Sequence, residues 1–587
     1  MINLGIVHME YRYIQGDKYL IGLPQINEDR AVQIAQTFNV SSVLAKVLLA
    51  RGKDHDESIS NYLITSRDKD VADPALMKDA LRAVDRILQA IDRQEKILIF
   101  GDYDVDGITS SSLMMVGLLS LGAKANFYLP NRIKDGYGLS SKIVQKASDN
   151  GYSLIITVDN GITAFEPTAL AVQLGIDVII TDHHRPHDHV PQAYAIVNPH
   201  QSDCSYPFKY FAGVGVAFKI LTLLFERKGL PIPDKVIELL LLGTVADVVP
   251  LTGENRYWVR YGLELVNQYE SYCLQVLKTN SKFTKPELNS TDVGFSITPQ
   301  INALGRLDDP RQGVQFLLGS DQAEVDRVGK VLFELNQSRK DVEKKIIQDI
   351  VTQVESGAVD LSQNVVIVGS NQWPAGVIGL VASRIVGLYG KPTLLFHFTK
   401  DGIAKGSCRS IKEFNIFEAL CESKDILISF GGHSHAAGLS LKMEHIPELQ
   451  RRLQQKVAQT LTPFDLQQKL RVDAVAILPD FNESFMQNLK LFEPFGHENH
   501  QPYFYVQGVI LVKQPQLLKE LHVKCTVFAD GVIRSVMFFN RPELFDRLQA
   551  QADQPFDIVG QVMHNYWNGS YTIELQGIDV VGLKGVE

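Results

Sequence analysis

Three short apolar runs in this chain each stop at a cluster of acidic residues or histidines. "KILIF" runs into "GDYDVDG", "SLIIT" into "VDNG", and "DVII" into "TDHH". Apolar runs of this length bounded by polar turns read as buried strands. "LMKDALRAVDRILQAI" before the first run and "SSSLMMVGLLSLG" after it repeat apolar residues at helical spacing, and "ANFYLP" is a further strand. Strand–helix alternation from about Ala75 to Val249 predicts a mostly parallel sheet covered on both faces. Ligands of such sheets gather at the carboxyl ends of the strands. All three clusters fall there.

The first cluster opens like an EF-hand loop, D-x-D-x-D-G. That loop needs a bidentate Glu at its twelfth position, where this chain has Leu113, and a strand precedes the motif instead of a helix. The remaining readings are a solvated acidic loop, or a strand end that projects Asp102, Asp104 and Asp106 on one face. Carboxylates that close repel, and a divalent cation offsets the repulsion. Asp159 in "VDNG" could equally belong to a plain turn. "TDHH" adds Asp182, His183 and His184, a mixed donor set that suits manganese. His187 and His189 beyond it read as surface loop. Asp247 lies in the apolar stretch "LLGTVADVVPL" and needs hydrogen bonds or a cation. Each signal is ambiguous alone, and together they favour a two-metal site. Two metals about 4 Å apart activate water and clamp phosphoryl oxygens. No GxxxxGK[ST], GxGxxG after the first strand, or GxSxG competes with that chemistry.

With 587 residues the chain is too long for one core and predicts three or four domains. Its composition, 45% hydrophobic and 21% charged, is that of a soluble globular protein. No apolar run approaches the roughly 20 residues of a membrane span, and the amino terminus lacks a signal-peptide pattern. Five scattered cysteines with no CxxC argue against disulfides or a cysteine zinc site and suggest a reducing cytoplasm. A net charge of −9 neither advertises nor excludes a nucleic-acid partner, because a basic groove can coexist with an acidic remainder.

Beyond Asp321 an apolar stripe repeats at helical spacing to Val354. Unbroken to Ser356, this helix would be about 50 Å long and would join two lobes; the alternative is two helices with a break near Asn336–Lys340. "NVVIVG", "SRIVGLYGKPTLLF" and "FGGHSHAAGLSL" suggest a second, smaller α/β domain. The last 120 or so residues are rich in strands, with hairpin signals at Asp530-Gly531 and Asn568-Gly569, and fit a small barrel such as an OB-fold.

"DYDVDG", "VDNG", "TDHH" and "GTVADVVPL", in this order, resemble the four motifs of the DHH phosphoesterase family. The likeness runs from about Val40 to "NYWNGSYTIELQGIDV", through "FAGVGVAFK", "INALGRLDDP", "KGSCRS", "FGGHSHAAGLSL" and "PFGHENHQPYF", and follows the family's single-strand-specific exonucleases. It implies Asp104, Asp106, Asp159, His183 and Asp247 as metal ligands, with Asp102 beside or among them as a catalytic candidate. It implies contact of His184 with the scissile phosphate. A 5′-phosphate pocket would use Arg132, Arg306, Ser407 and Arg409, with Gly431, Gly432 and His433 lining the same cleft. The implied reaction is 5′→3′ release of mononucleotides from single-stranded DNA with two Mn²⁺ or Mg²⁺ ions, in recombination and repair. The implied setting is the cytoplasm, with a single-stranded-DNA-binding protein and a helicase as partners and no membrane. The alternative is a family phosphodiesterase for short oligonucleotides or cyclic dinucleotides.

The implied domains are an amino-terminal segment (1–74), the DHH catalytic domain (75–265), the rest of its lobe with the long helix (266–356), a DHH-associated α/β domain (357–463) and an OB-fold (464–587). A channel between the lobes would admit one strand and exclude a duplex. Tyr566, Trp567 and Tyr571 are candidates for base stacking or for packing on a strand face. Gln300, Pro374 and Cys408 depart from the family pattern and bear on the geometry of the nucleotide cleft.

Overall fold

Five strands, Lys96–Phe100 (β1), Lys124–Tyr128 (β2), Leu154–Val158 (β3), Asp177–Thr181 (β4) and Ala195–Val197 (β5), form one parallel sheet in the order β2-β1-β3-β4-β5. This computed structural model describes residues 9–131, 136, 138–319, 321–551 and 554–583; the side chain of Trp567 lies outside that description. The first four strands are the runs read from the sequence. Every residue of β3 is buried, as expected of a strand covered on both faces. β5 has only three residues and leaves no pattern to read. After β2 the chain crosses to the other side of β1, so the strand order reverses there. The crevice above β1 and β3 is where such sheets take ligands.

Helix Val105–Ser120 (α1) leaves β1, and Gly213–Lys228 (α2) and Asp234–Ala246 (α3) pack beside it. All three are buried nearly all round, as helices inside a core are. A fully buried ion pair lies within that core. Lys219 on α2 donates to Glu254, which also accepts from Trp258 Nε1 at 3.0 Å and the Tyr206 hydroxyl at 2.6 Å. The rings of Tyr206 and Phe211 stand 5.4 Å from the ammonium. Burial pushes the Lys219 pKa below its ordinary value against the pull of Glu254.

These elements belong to a compact unit of Ser60–Asn336 that also incorporates Lys490–Gln501 from far along the chain. The incorporated segment is tied in by hydrogen bonds. Arg256 donates to the carbonyls of Phe492 at 2.8 Å and Leu491 at 2.9 Å. Ser290 Oγ donates to the Phe495 carbonyl at 2.6 Å, and Leu251 N to the His497 carbonyl at 2.9 Å.

The other unit comprises Met1–Ile59, Gln337–Leu489 and Pro502–Glu587. Its mixed sheet holds Val366–Ser370, Thr393–Phe398, Ile403–Arg409, Ala436–Lys442 and Leu427–His433, in that spatial order. Its six-stranded sheet closes into a barrel because Phe504–Leu518 pairs with both His522–Ala529 and Phe556–Trp567. Asp530-Gly531 and Asn568-Gly569 make the two tight turns with positive φ that the sequence predicts. The helix Gln322–Glu355 (α4) is continuous over 34 residues, with no break at Asn336–Lys340. Arg339 pairs with Glu343 at 3.1 Å across that stretch. Among the described residues no single helix is long and apolar enough to cross a membrane.

Lys219→Met leaves Glu254 buried without its cation and is expected to destabilise the parallel-sheet unit by about 3–5 kcal/mol. Lys219→Met with Glu254→Leu removes both charges and is expected to recover most of that loss, read as the urea midpoint.

Candidate metal centre

The three aspartates that follow β1 do not lie on one strand face, contrary to the strand-end reading. The chain turns into α1 between them. Asp104 is the α1 N-cap and accepts from Gly107 N at 3.1 Å, while Asp106 lies in the first helical turn. This turn brings the carboxylates back over the end of β1. Asp106 is fully buried and is held by the start of α2: Oδ2 accepts from Gly213 N at 2.6 Å and Oδ1 from Val214 N at 2.8 Å. Glycine is required at 213, because a Cβ there would stand 2.5 Å from the Asp159 Cβ.

Asp159 ends β3 in the left-handed region, φ 61°, which aspartate tolerates better than most residues. Asn160 beside it is buried and donates to the carbonyls of Phe100 at 3.2 Å and Val158 at 2.9 Å, tying β1 to β3. Asp182 ends β4. Its Oδ1 accepts from the backbone of His183 at 2.7 Å and meets His184 Nδ1 at 2.8 Å, and its Oδ2 accepts from Ile162 N at 2.9 Å. His183 turns the other way. Its Nε2 stands 3.2 Å from Asp159, 3.7 Å from Asp247 and 3.9 Å from Asp106. Asp247 is the C-cap of α3.

Donor atoms of three overlapping trios lie within 4.8 Å of one another: Asp159, His183 and His184; Asp106, His183 and Asp247; Asp102, Asp104 and Asp159. Such a set could hold two cations. Two further observations fit that occupancy. Asp159 Oδ1 is buried and accepts no hydrogen bond. Burial and then the neighbouring carboxylates push Asp106 up to about 7, and burial and Asp104 push Asp247 up to about 8. Asp159 is raised as well, by burial and then by Asp106. Burial and the neighbouring His184 lower the His183 pKa, which keeps it a neutral donor. His184 differs. Burial opposes its charge, but the bond to Asp182 prevails and holds it up at about 9. Burial alone would raise Asp182, and its hydrogen bonds from His184 bring it below the ordinary range.

Arg132 lies outside the described residues. Arg306 is in the parallel-sheet unit, near the end of helix Thr298–Leu307. Ser407, Arg409, Gly431, Gly432 and His433 are in the other unit. There Ser407 pairs with Gly438, which pairs with Gly431, and Arg409 pairs with Ala436, which pairs with His433. Ser407, Arg409, Gly431 and His433 therefore share one face of the mixed sheet. Arg409 Nη1 donates to Ser407 Oγ at 3.2 Å. Cys408 points to the opposite face, into the apolar core, where burial pushes its thiol up to about 12. Gln300 is also buried, and its amide donates to the carbonyls of Leu277 at 2.9 Å and Ser296 at 2.8 Å. Both departures thus serve packing. Pro374 is an exposed turn residue whose carbonyl accepts from Val377 N at 3.0 Å. The rings of Tyr566 and Tyr571 pair across their hairpin at 4.9 Å.

The raised carboxylates set a pH dependence. Groups whose folded pKa lies above the unfolded value stabilise below the ordinary carboxylate range, near 4, and that contribution is lost as pH rises through the folded values. Chelated protein should therefore lose melting temperature from about pH 4 upward and level off above about 7 and 8. Mn²⁺ should bind more tightly with rising pH and abolish that slope. Thermal melts with EDTA and with Mn²⁺ across this range check it, and a flat chelated profile contradicts it.

Residues 96–244 match the DHH family, N-terminal domain; residues 362–459 match the DHHA1 domain and residues 472–579 the RecJ OB domain. The single-stranded-DNA-specific exonuclease RecJ of Bacillus subtilis is 38% identical over 544 residues, 92% of this chain and 68% of that protein. RecJ of Escherichia coli is 35% identical over 76% of this chain and 80% of its own length. The crystal structure of RecJ from Thermus thermophilus in complex with Mn²⁺ covers 97% of this chain and 80% of that one, with TM-score 0.80 and 26% identity. A manganese-bound exonuclease RecJ covers 66% of this chain and 96% of that one, with TM-score 0.57 and 31% identity. The sheet-end cluster and these matches lead to one conclusion: the chain belongs to the RecJ family of single-stranded-DNA-specific exonucleases, within the DHH phosphoesterases.

Proposed function

We propose that this protein removes mononucleotides from the 5′ end of single-stranded DNA by two-metal hydrolysis, in recombination and repair. The observation that carries the chemistry is the set of three donor trios sharing Asp159 and His183. Within them Asp104, Asp106, Asp159, His183 and Asp247 are the metal ligands, with Asp102 beside or among them. Two Mn²⁺ or Mg²⁺ ions bound there would supply a water of lowered pKa and positive charge against the phosphoryl oxygens.

The residues of the chain do the rest. Gly213 and Val214 fix the Asp106 carboxylate, and His183 remains neutral as a donor. Asp182 holds the His184 ring by Nδ1, so the opposite edge of a charged imidazole serves the phosphate as negative charge develops. Arg306, beside the metal loop, contacts substrate phosphate. Ser407, Arg409, Gly431, Gly432 and His433 form a phosphate-binding face on the mixed sheet, where an arginine fork suits the ligand and the glycines leave backbone within reach. Arg132 joins this phosphate-binding set by its motif. The OB-fold provides the track for a single strand.

A cytoplasmic setting, with a single-stranded-DNA-binding protein and a helicase as partners, follows from the same reading, since those proteins produce and hold the single strand. The five cysteines without disulfides are consistent with it.

Asp159→Ala and His183→Ala should each reduce hydrolysis by about a hundredfold or more with the fold retained. Single-stranded DNA labelled at either end, incubated with Mn²⁺ or chelator, tests both rate and polarity. Normal turnover by either variant would remove that residue from the ligand set, and shortening from the 3′ end would reverse the polarity. Arg409→Ala should weaken the preference for a 5′-phosphate over a 5′-hydroxyl end by about tenfold or more. An unchanged preference excludes Arg409 from phosphate binding.

A further inference from the structure

One aromatic ring of the parallel-sheet unit stands out in solvent. Phe295 is 76% exposed, more than any other large apolar side chain among the described residues. It occupies a π-helical turn, Val293–Ile297, between the short helix Ser290–Asp292 and Thr298–Leu307. Single π-turns concentrate at functional sites. This one is anchored rather than frayed. Asn289 and Asp292 form a reciprocal cap at its start, and Ser290 is bonded to the Phe495 carbonyl.

The two faces of this segment differ. Val293, Ile297, Ile301 and Leu304 are buried and face the core. Phe295, Pro299, Asn302 and Arg306 follow at intervals of four, three and four, which is one helical face, and none of them is buried. Phe295 and Arg306 are then about 16 Å apart along the axis.

Both ends of the segment, through glycines beside that face, pack against elements of the metal centre. At the Arg306 end, a Cβ on Gly305 would collide with the carbonyl of Tyr103, the residue between Asp102 and Asp104. At the Phe295 end, a Cβ on Gly294 would stand 3.4 Å from Val245 Cγ1, two residues before Asp247.

The geometry points to Phe295 as a stacking platform for a nucleobase of the substrate strand, with Arg306 at the other end of the same face meeting its backbone. This subsite rests on the exonuclease reading above. An exposed ring suits it because every base has a π-face, so stacking holds a strand without reading its sequence. The helical face supplies the second requirement, a fixed distance between the stacked base and the reacting end.

Binding of fluorescent oligonucleotides to the full chain in EDTA, where no strand is cut, tests the subsite by anisotropy. Phe295→Ala should weaken binding of single-stranded DNA by about 5- to 100-fold, and Phe295→Trp should retain it. Melting temperature and Mn²⁺ affinity should be unchanged in both, because the ring is mostly in solvent. On a strand of abasic sites the wild type and Phe295→Ala should bind alike. Equal binding of the normal strand by wild type and Phe295→Ala overturns the assignment and leaves the ring to a protein partner. A loss of the same size on the abasic strand also overturns it. Cleavage by the wild type with Mn²⁺, run in parallel, tests the exonuclease reading alone: no cleavage together with ring-dependent binding would sink that reading and keep the subsite.

Discussion

Two backbone amides at the start of α2 hold the Asp106 carboxylate, and the metal centre is built on that grip. A helix N-terminus favours negative charge. Here the favour is not sufficient, since burial and neighbouring carboxylates still push Asp106 up to about 7. The amides set where the oxygens point, and a cation must supply the missing charge. The position of α2 in turn depends on Lys219, which reaches Glu254 on the helix that follows Asp247. One buried ion pair therefore links the anchor of Asp106 to the stretch of chain that carries Asp247.

Environment also divides labour between two adjacent histidines. His183 is enclosed and stays neutral, as a ligand must. His184 lies against Asp182, whose pKa falls, and stays charged. A single dipeptide thus offers a donor to a cation and a cation to a phosphate. Asp182 is the residue that separates the two roles.

Much of this was legible in the sequence, for physical reasons. Strands buried on both faces leave apolar runs, so β1 to β4 could be read together with the polar clusters at their ends. The convergence of Asp102, Asp159 and His183 followed from the parallel topology, whereas Asp247 is brought in by the end of α3. What escaped was set by contacts distant along the chain. Gly213 looked like any helical glycine until Asp159 was seen against it. Asn160 read as part of a turn, yet it bridges two strands. Nothing local shows that "DYDVDG" curls into a helix with Asp104 as its cap, or that Gln300 and Cys408 face inward. Nothing local marks the π-turn around Phe295 either, because Val293, Ile297, Ile301 and Leu304 keep the spacing of an ordinary helix.

The segment Lys490–Gln501 has a consequence in time. The unit that holds the metal centre has its other residues in place by Asn336, but this strap comes more than 150 residues later. At ribosomal speeds of about 5–20 residues per second, the gap lasts roughly 8–30 seconds. During that interval Arg256 and Leu251 N lack the carbonyls they bond in the finished fold, and Leu251 lies four residues from Asp247. The barrel strands follow directly behind the strap. A nascent chain thus completes the framework around its metal centre only as the barrel emerges.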